Sequence, residues 1–495
     1  LREPVFSIRV LRPSDITSEK LNRVALWAAA IAVIIAGAVR YAAQPSFWLD
    51  EAFVAVSLRE PSPQVIFAQL EYGQYFPRLY LVCIAAIREL FGYSIWAIRL
   101  LPFLCFIIAT VFWARLLEKR SRQFAVLVLL SAALLAGASF WLDQAIQLKP
   151  YTFDVLLALV PFLIGDDFFK DAFINGKRKV LLIALALGCF LSYTYPFALL
   201  ARTLGWYLNQ GRRASWRVHP SAVFIFVISV ALALAGIFMT DHRFNLIDRP
   251  AYLAYWNDCI LRSHFEHAPR LIAKFLWGWH GRQPLVTAGM VPLQILGVYS
   301  VISRWKNPQA AVNNSWGSRS IGSLVLLIGM IFASGLLGYP ICAGRITLFA
   351  QAHTQILALE GALFILTFWS RRKAPLIFLY LFLAILMFHS IRDYARFVRA
   401  EAPENIRPML SLIKPEIANS LWVHSCSVAQ VKSLPDALPV EQITGRPSKG
   451  DKVWVLWTHL GADNCRRELE QIRNQARSWQ VIHEGPDRGL ALAEF

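Results

Sequence analysis

Between residues 24 and 392 long apolar blocks alternate with short polar connections. Most of the blocks are long enough for a helix to cross the roughly 30 Å hydrocarbon core of a bilayer. The pattern predicts about eleven spans, at 24–43, 94–117, 124–142, 151–166, 180–193, 196–209, 219–239, 286–303, 320–338, 348–369 and 375–392. The first follows a charged stretch and is too long for the apolar core of a signal peptide, so it reads as an uncleaved span. Residues 77–91, "PRLYLVCIAAIRELF", carry Arg78, Arg88 and Glu89 on a moderate apolar stripe. They suit an amphipathic helix lying along the interface better than a crossing.

Five connections are basic: "EKRSRQ" (118–123), "INGKRK" (174–179), "QGRRASWR" (210–217), "SRWKNPQ" (303–309) and "SRRKAP" (370–375). Placing all five in the cytoplasm satisfies the positive-inside rule and fixes the layout. The N-terminus is then cytoplasmic. Residues 44–93, 143–150, 240–285, 339–347 and everything after about 393 lie outside.

The pattern changes in the tail. "LWVHSCSVAQ" and "KVWVLWTHL" read as short buried strands, "DNCRRELEQIRNQARSW" as a charged helix, and "QVIHEG" and "GLALAEF" as further strands. The expected organisation is a membrane module over 1–392 and a small soluble α/β domain over 393–495.

Composition agrees: 56% of the 495 residues are hydrophobic and only 17% charged, too few charges for a soluble chain of this length. The net charge of +18 comes from basic residues in the connections, with no continuous basic face, which argues against nucleic-acid binding. Of seven cysteines, five lie in or beside hydrophobic segments and read as packing residues. Cys426 and Cys465, in the polar tail, are either a disulfide or two buried thiols.

Candidate chemistry gathers at the outer rim. In "FWLDEAFVAV" (47–56) Asp50 and Glu51 either cap a helix or supply a general base where an acceptor meets a membrane-embedded donor. In "QLKPYTFD" (147–154) Lys149 is either a snorkelling anchor or a phosphate ligand, and Asp154, about a turn inside the membrane, needs a partner such as Lys149. Arg345, in "GYPICAGRITLF", suits bidentate phosphate binding or simple anchoring, and Arg99 in "AIRLLP" is a second candidate of that kind. Glu360 lies deep in its span and reads as structurally paired. His264 and His267 form an HxxH, a weak metal signal in a loop whose Trp and Tyr suit the interface.

Taken in order, "FWLDEAFVAVSL", "FPRLYLVCIAAIRELFG", "AIRLLPFL", "QLKPYTFDVLLAL", "LSYTYPF" and "YPICAGRITLFAQAHTQILALEGAL" resemble the bacterial integral-membrane glycosyltransferases of the GT-C class. They are similar in particular to the protein O-mannosyltransferase-like group (glycosyltransferase family 39-like), which includes the lipid A aminoarabinose transferase. The resemblance implies a polytopic α-helical GT-C fold of about eleven transmembrane helices, with interfacial helices in the first outer loop and a C-terminal α/β periplasmic domain. It implies a bacterial inner-membrane enzyme that moves a sugar from a polyprenyl-phosphate donor to a hydroxyl on a glycan, lipid or protein, with inversion. Asp50 matches the catalytic carboxylate, with Glu51 beside it, and Arg345 the residue that meets the donor phosphate; Lys149 and Arg99 join it as phosphate ligands.

Arg78, Gln147, Tyr151 and Asp154 fall at substrate-contacting positions. Where many members carry an acid in a Ser-Gln-Glu-Ala-Arg-Pro-Tyr-like stretch, this chain has the amide Gln147, with Asp154 as a substitute. Phe76, Pro77 and Arg78 stand where relatives often show His-Pro-Pro. The missing acid argues against a divalent metal, although oligosaccharyltransferases of the wider class use one, and no Gly-rich nucleotide loop is seen. The competing class is a transporter or flippase of a lipid-linked substrate. That class usually places ionisable groups and broken helices at the bilayer midplane, often in inverted repeats, and neither pattern is seen here.

Overall fold

A computed structural model describes the chain except residues 1–12, 122–124, 137–138, 175–179, 211–222, 236–249, 251–253, 278–283, 307–316, 369–372, 400–404, 460–462, 486–487 and scattered positions between. Among the described residues six helices are long and apolar enough to cross a membrane: Arg23–Ala43, Ile95–Arg120, Pro284–Trp305, Gly317–Leu337, Leu348–Phe368 and Ala374–Arg396. Two apolar helices, Val126–Leu135 and Tyr151–Leu163, are shorter. Of the remaining predicted spans, 196–209 is a helix, Tyr195–Gln210, while 180–193 and 219–239 fall in large part outside the described residues. The helix Arg78–Phe91 has 14 residues. At 1.5 Å per residue that is about 21 Å, too short to cross, as its charges suggested.

Burial ranks the helices. In Leu348–Phe368 89% of the apolar window is buried, against 28% in Arg23–Ala43 and in Ala374–Arg396, so the first is the centre of the bundle and the others its rim. The centre is built on close backbone approach. A Cβ on Gly297 would strike the carbonyl oxygen of Leu357, and one on Gly361 that of Leu293, so the helices Pro284–Lys306 and Gln351–Phe368 meet backbone to backbone. Gly205 and Gly322 do the same for Tyr195–Gln210 and Gly317–Leu337. In lipid no hydrophobic force drives helices together, and small residues at crossings supply the packing instead.

The helix Ile95–Ser121 joins two charged ends. Arg99 pairs with Glu51 at one end and Arg120 with Glu360 at the other. They are about 31 Å apart at 1.5 Å per residue, close to a bilayer core. At the second end Glu360, fully buried, also accepts from Arg304 and from Ser320 (2.6 Å), which is the structural pairing expected of it. Arg202, Ser318 and Asp166 form a second cluster there. Arg120 and Arg304 bring the basic connections 118–123 and 303–309 to this end; the other three lie in large part outside the described residues.

The tail forms a five-stranded sheet in the order β2-β1-β3-β5-β4, from β1 (Ser420–Val423), β2 (Glu441–Ile443), β3 (Lys452–Thr458), β4 (Ser478–Glu484) and β5 (Arg488–Glu494). β1 runs parallel to β2 and β3; β5 runs antiparallel to β3 and β4. The helix Asp463–Gln475 is the one its charge alternation predicts. Two details differ. "LWVHSCSVAQ" is a strand only to Val423 and then turns into a short helix, Val428–Lys432, and β2 carried too few residues to be read. The transmembrane helix Lys373–Arg399 continues past residue 392.

The domain does not hang free. Ala429 packs in the same core as Phe47, Ala52, Val54 and Tyr80, and Gln430 Nε2 donates to the Phe47 carbonyl at 3.2 Å. The Ser46 amide donates to Asn405 Oδ1 and the Ile406 amide to Ser46 Oγ, each at 2.9 Å. Cys426 and Cys465 form a disulfide, with Cα atoms 6.2 Å apart. Both ring nitrogens of the neighbouring His424 are engaged: Nδ1 accepts from the Cys426 amide at 3.2 Å and Nε2 meets the Cys465 carbonyl at 2.7 Å. With the sulfurs joined and the imidazole occupied, this trio is not a metal centre.

Candidate active site

The adjacent acids open the helix Leu49–Ser57, with Trp48 as its N-cap. Helical geometry turns neighbours about 100° apart, so Asp50 and Glu51 face different surroundings. Glu51 points inward and is 1% exposed. Its carboxylate reaches back to the Trp48 amide at 3.0 Å, closing the first turn, and takes Arg99 in bidentate fashion at 2.6 and 3.0 Å and the Leu148 amide at 2.5 Å. Two further donors of Arg99 go to the Pro45 and Ser46 carbonyls, and its guanidinium lies 4.9 Å from the Phe47 ring. This corrects two expected roles. Glu51 and Arg99 are buried and engaged with each other and with backbone, and neither presents an exposed face to a phosphate or an acceptor.

Asp50 faces the other way. Its carboxylate meets Arg345 Nη1 at 2.6 Å, and the two side chains keep 22% and 20% of their surface exposed. The Arg345 guanidinium lies over the Trp48 ring at 4.7 Å and near that of Trp256 at 5.9 Å, so two indoles flank the cation. Trp256 comes from the 240–285 loop, whose Trp and Tyr residues read only as suited to the interface.

Lys149 approaches from a third loop and is 5% exposed. Its ammonium donates to Gln74 Oε1 at 2.6 Å and sits 5.0 Å from the Phe76 ring. Burial lowers its pKa from 10.5 to about 8; the charges of Asp50 and Glu51 pull it up and that of Arg345 pushes it further down. Three segments far apart in sequence thus bring a carboxylate and a cation into contact and a second cation within reach of their charges.

The other predicted residues divide. Asp154 is not the partner of Lys149: it accepts from Ser192 Oγ at 2.5 Å, and Ser192 is itself tied to Thr194. The serine and threonine of "LSYTYPF" supply what a membrane-level carboxylate needs, so no cation is required. Gln147 lies on the Lys149 loop with its amide oxygen buried and lacking a hydrogen-bond partner. Tyr151 begins the helix below and packs against the main core. Arg78 Nη1 donates to the Ile66 carbonyl at 2.9 Å. His264 and His267 stack on each other at 6.1 Å, with Asp258 and Glu266 exposed beside them.

A second disulfide, Cys259–Cys342, with Cα atoms 4.9 Å apart, joins the Trp256 loop to the Arg345 loop. This corrects the reading of these two cysteines as packing residues. Neither CxxC spacing nor polarity marks them, and the partners are 83 residues apart.

Fold and site together define a polytopic α-helical membrane protein with a small α/β tail domain and a charged, aromatic-lined cluster at one end of the bundle. Its architecture is similar to that of ArnT from Cupriavidus metallidurans. The crystal structure of that protein bound to undecaprenyl phosphate aligns over 95% of this chain and 97% of its own, at 12% identity and a TM-score of 0.45. The apo form aligns over 93% and 97%, also at 12% identity, with a TM-score of 0.46. No family model matches the sequence, and no curated protein matches it.

Proposed function

We propose that the protein is a glycosyltransferase that moves a sugar from a polyprenyl-phosphate donor to an acceptor hydroxyl. The observation that carries the reading is the Asp50–Arg345 ion pair at one end of a membrane bundle, within electrostatic reach of Lys149. The donor's lipid stays in the bilayer while its phosphosugar reaches the cluster. The acceptor hydroxyl gives its proton to Asp50, its oxygen bonds to the anomeric carbon from the opposite face, and the bond from that carbon to the phosphate oxygen breaks. Arg345 and Lys149 stabilise the charge that develops on the departing phosphate. In the resting protein Arg345 neutralises Asp50; a phosphate competes for the guanidinium and leaves the carboxylate able to accept a proton.

Two disulfides on the Asp50 side support an oxidising compartment there, the periplasm of a bacterial inner-membrane protein. The test is mass spectrometry of lipids that co-purify with wild-type and Asp50→Asn protein, with transfer measured on both. A polyprenyl-phosphate sugar enriched on an inactive Asp50→Asn is the expected result. Transfer retained within a few-fold removes Asp50 as the base, and bulk phospholipid alone on both proteins removes the donor class.

A further inference from the structure

Arg345 sits in a cradle whose two walls come from distant parts of the chain. One wall is Trp48, two residues before Asp50. The other is Trp256. Nothing in the local sequence of either loop forces Trp256 toward Arg345, yet the Cys259–Cys342 bond lies three residues after Trp256 and three before Arg345. It closes the cradle at its base. On one side of the bond the Leu261 amide donates to Ser334 Oγ at 2.9 Å, fixing that loop to the end of the helix Gly317–Leu337. On the other, Gly338 turns the chain at φ +74°, a conformation that favours glycine, and the Tyr339 hydroxyl donates to the Ile346 carbonyl at 3.2 Å. Both loops are thus held next to the bridge, and the bridge sets how far apart Trp256 and Arg345 stand.

We infer that Cys259 and Cys342 are positioning residues: their disulfide holds Arg345 between Trp48 and Trp256, so that the Asp50–Arg345 site is completed only by oxidation. In that step two thiols lose two protons and two electrons to a disulfide-bearing oxidant of the compartment, which leaves as a dithiol. A chain that has inserted but not yet been oxidised has all its charged groups and lacks the aligned cation. The inference rests on the transferase reading only for its kinetic consequence; the geometric claim stands without it.

The experiment reads Arg345 directly. Purified full-length protein in detergent is treated with phenylglyoxal, which modifies accessible guanidinium groups, and peptides are quantified by mass spectrometry. In Cys259→Ser/Cys342→Ser the modification rate of Arg345 is expected to rise several-fold while buried Arg99 stays unmodified. Trp256→Leu keeps the bridge but removes a wall and is expected to raise Arg345 reactivity likewise, which tests the cradle. Reduction of the folded wild-type protein opens the bridge without a substitution, is expected to raise Arg345 reactivity too, and decides the matter even if the cysteine variant folds poorly. Unchanged Arg345 reactivity in a folded cysteine variant, or in Trp256→Leu, overturns the inference. So does a parallel rise at Arg99, which would show that the bridge supports the whole fold and not this cradle.

In a transfer assay the cysteine variant is expected to lose about 10²-fold in kcat/KM, the scale of a misplaced binding group. Should Asp50→Asn remain active, Asp50 is not the base, and should only bulk phospholipid co-purify, the donor class fails; in either case the reactivity result stands or falls by itself.

Discussion

Asp50 and Glu51 are adjacent, yet their removal should have opposite consequences. Glu51 is buried with Arg99 and accepts from two backbone amides besides. In Glu51→Gln the shape is kept, but the charge is lost and an amide nitrogen must face donors. Breaking a buried ion pair by neutralising one partner costs about 3–5 kcal/mol, because the other charge stays buried. Asp50 and Arg345 are about a fifth exposed, and partly solvated pairs of this kind contribute about 0–1 kcal/mol. Asp50→Asn should therefore melt within a degree or two of wild type and transfer no sugar, a loss of about 10²–10⁴-fold for a missing general base. Glu51→Gln should lose its monodisperse chromatographic peak several degrees earlier on heating in detergent. The fraction still folded should keep measurable transfer. The reasoning is refuted if Glu51→Gln melts with wild type, or if Asp50→Asn is the less stable of the two.

Lys149 gives a pH signature. Its cationic form is lost as pH rises through about 8, so donor affinity should fall across that limb, and Lys149→Arg should move the limb to higher pH in a kcat/KM profile. Because its folded pKa lies below the ordinary 10.5, the fold favours the neutral amine, and this residue's contribution to stability should rise with pH between about 8 and about 10.5. Gly297→Leu should separate the central helix pair and abolish recovery of folded protein, while Gly329→Ala, where a Cβ meets nothing within 4 Å, should be recovered normally. Cys426→Ser/Cys465→Ser opens a 39-residue loop and should cost the tail domain about 4 kcal/mol on a chain-entropy basis, read as faster proteolysis of residues after 405.

The chain advertises what depends on local pattern. Hydrophobic length marked the spans, short apolar runs marked four of the five tail strands, and an acidic pair beside a span marked the candidate site. What stayed hidden depends on burial and distant partners. An arginine at the rim of a span looks the same whether it awaits a phosphate or grips a carboxylate, and only the 3% exposure of Arg99 separates it from Arg345 at 20%. Asp154 seemed to need a cation because Lys149 was near in sequence; Ser192 is nearer in space. Cys259 and Cys342 carry no spacing that points from one to the other. Trp256, one of 17 tryptophans, becomes distinctive only when Arg345 is seen beside it.

The grip of the tail on residues 44–48 has a consequence for biogenesis. Gln44 and Ser46 are held by Arg407, Asn405 and Ile406, and Phe47 by Gln430, partners more than 350 residues further along the chain. A ribosome making about 5–20 residues each second needs tens of seconds to cover that distance. The segment that carries Asp50 emerges well before its tail partners and can settle only after them. Until the tail has been made and folded, the Gln44 and Phe47 carbonyls and the Ser46 amide are answered only by water. A premature stop in the tail would therefore strike the Asp50 segment, leaving an inserted bundle whose charged end had never closed.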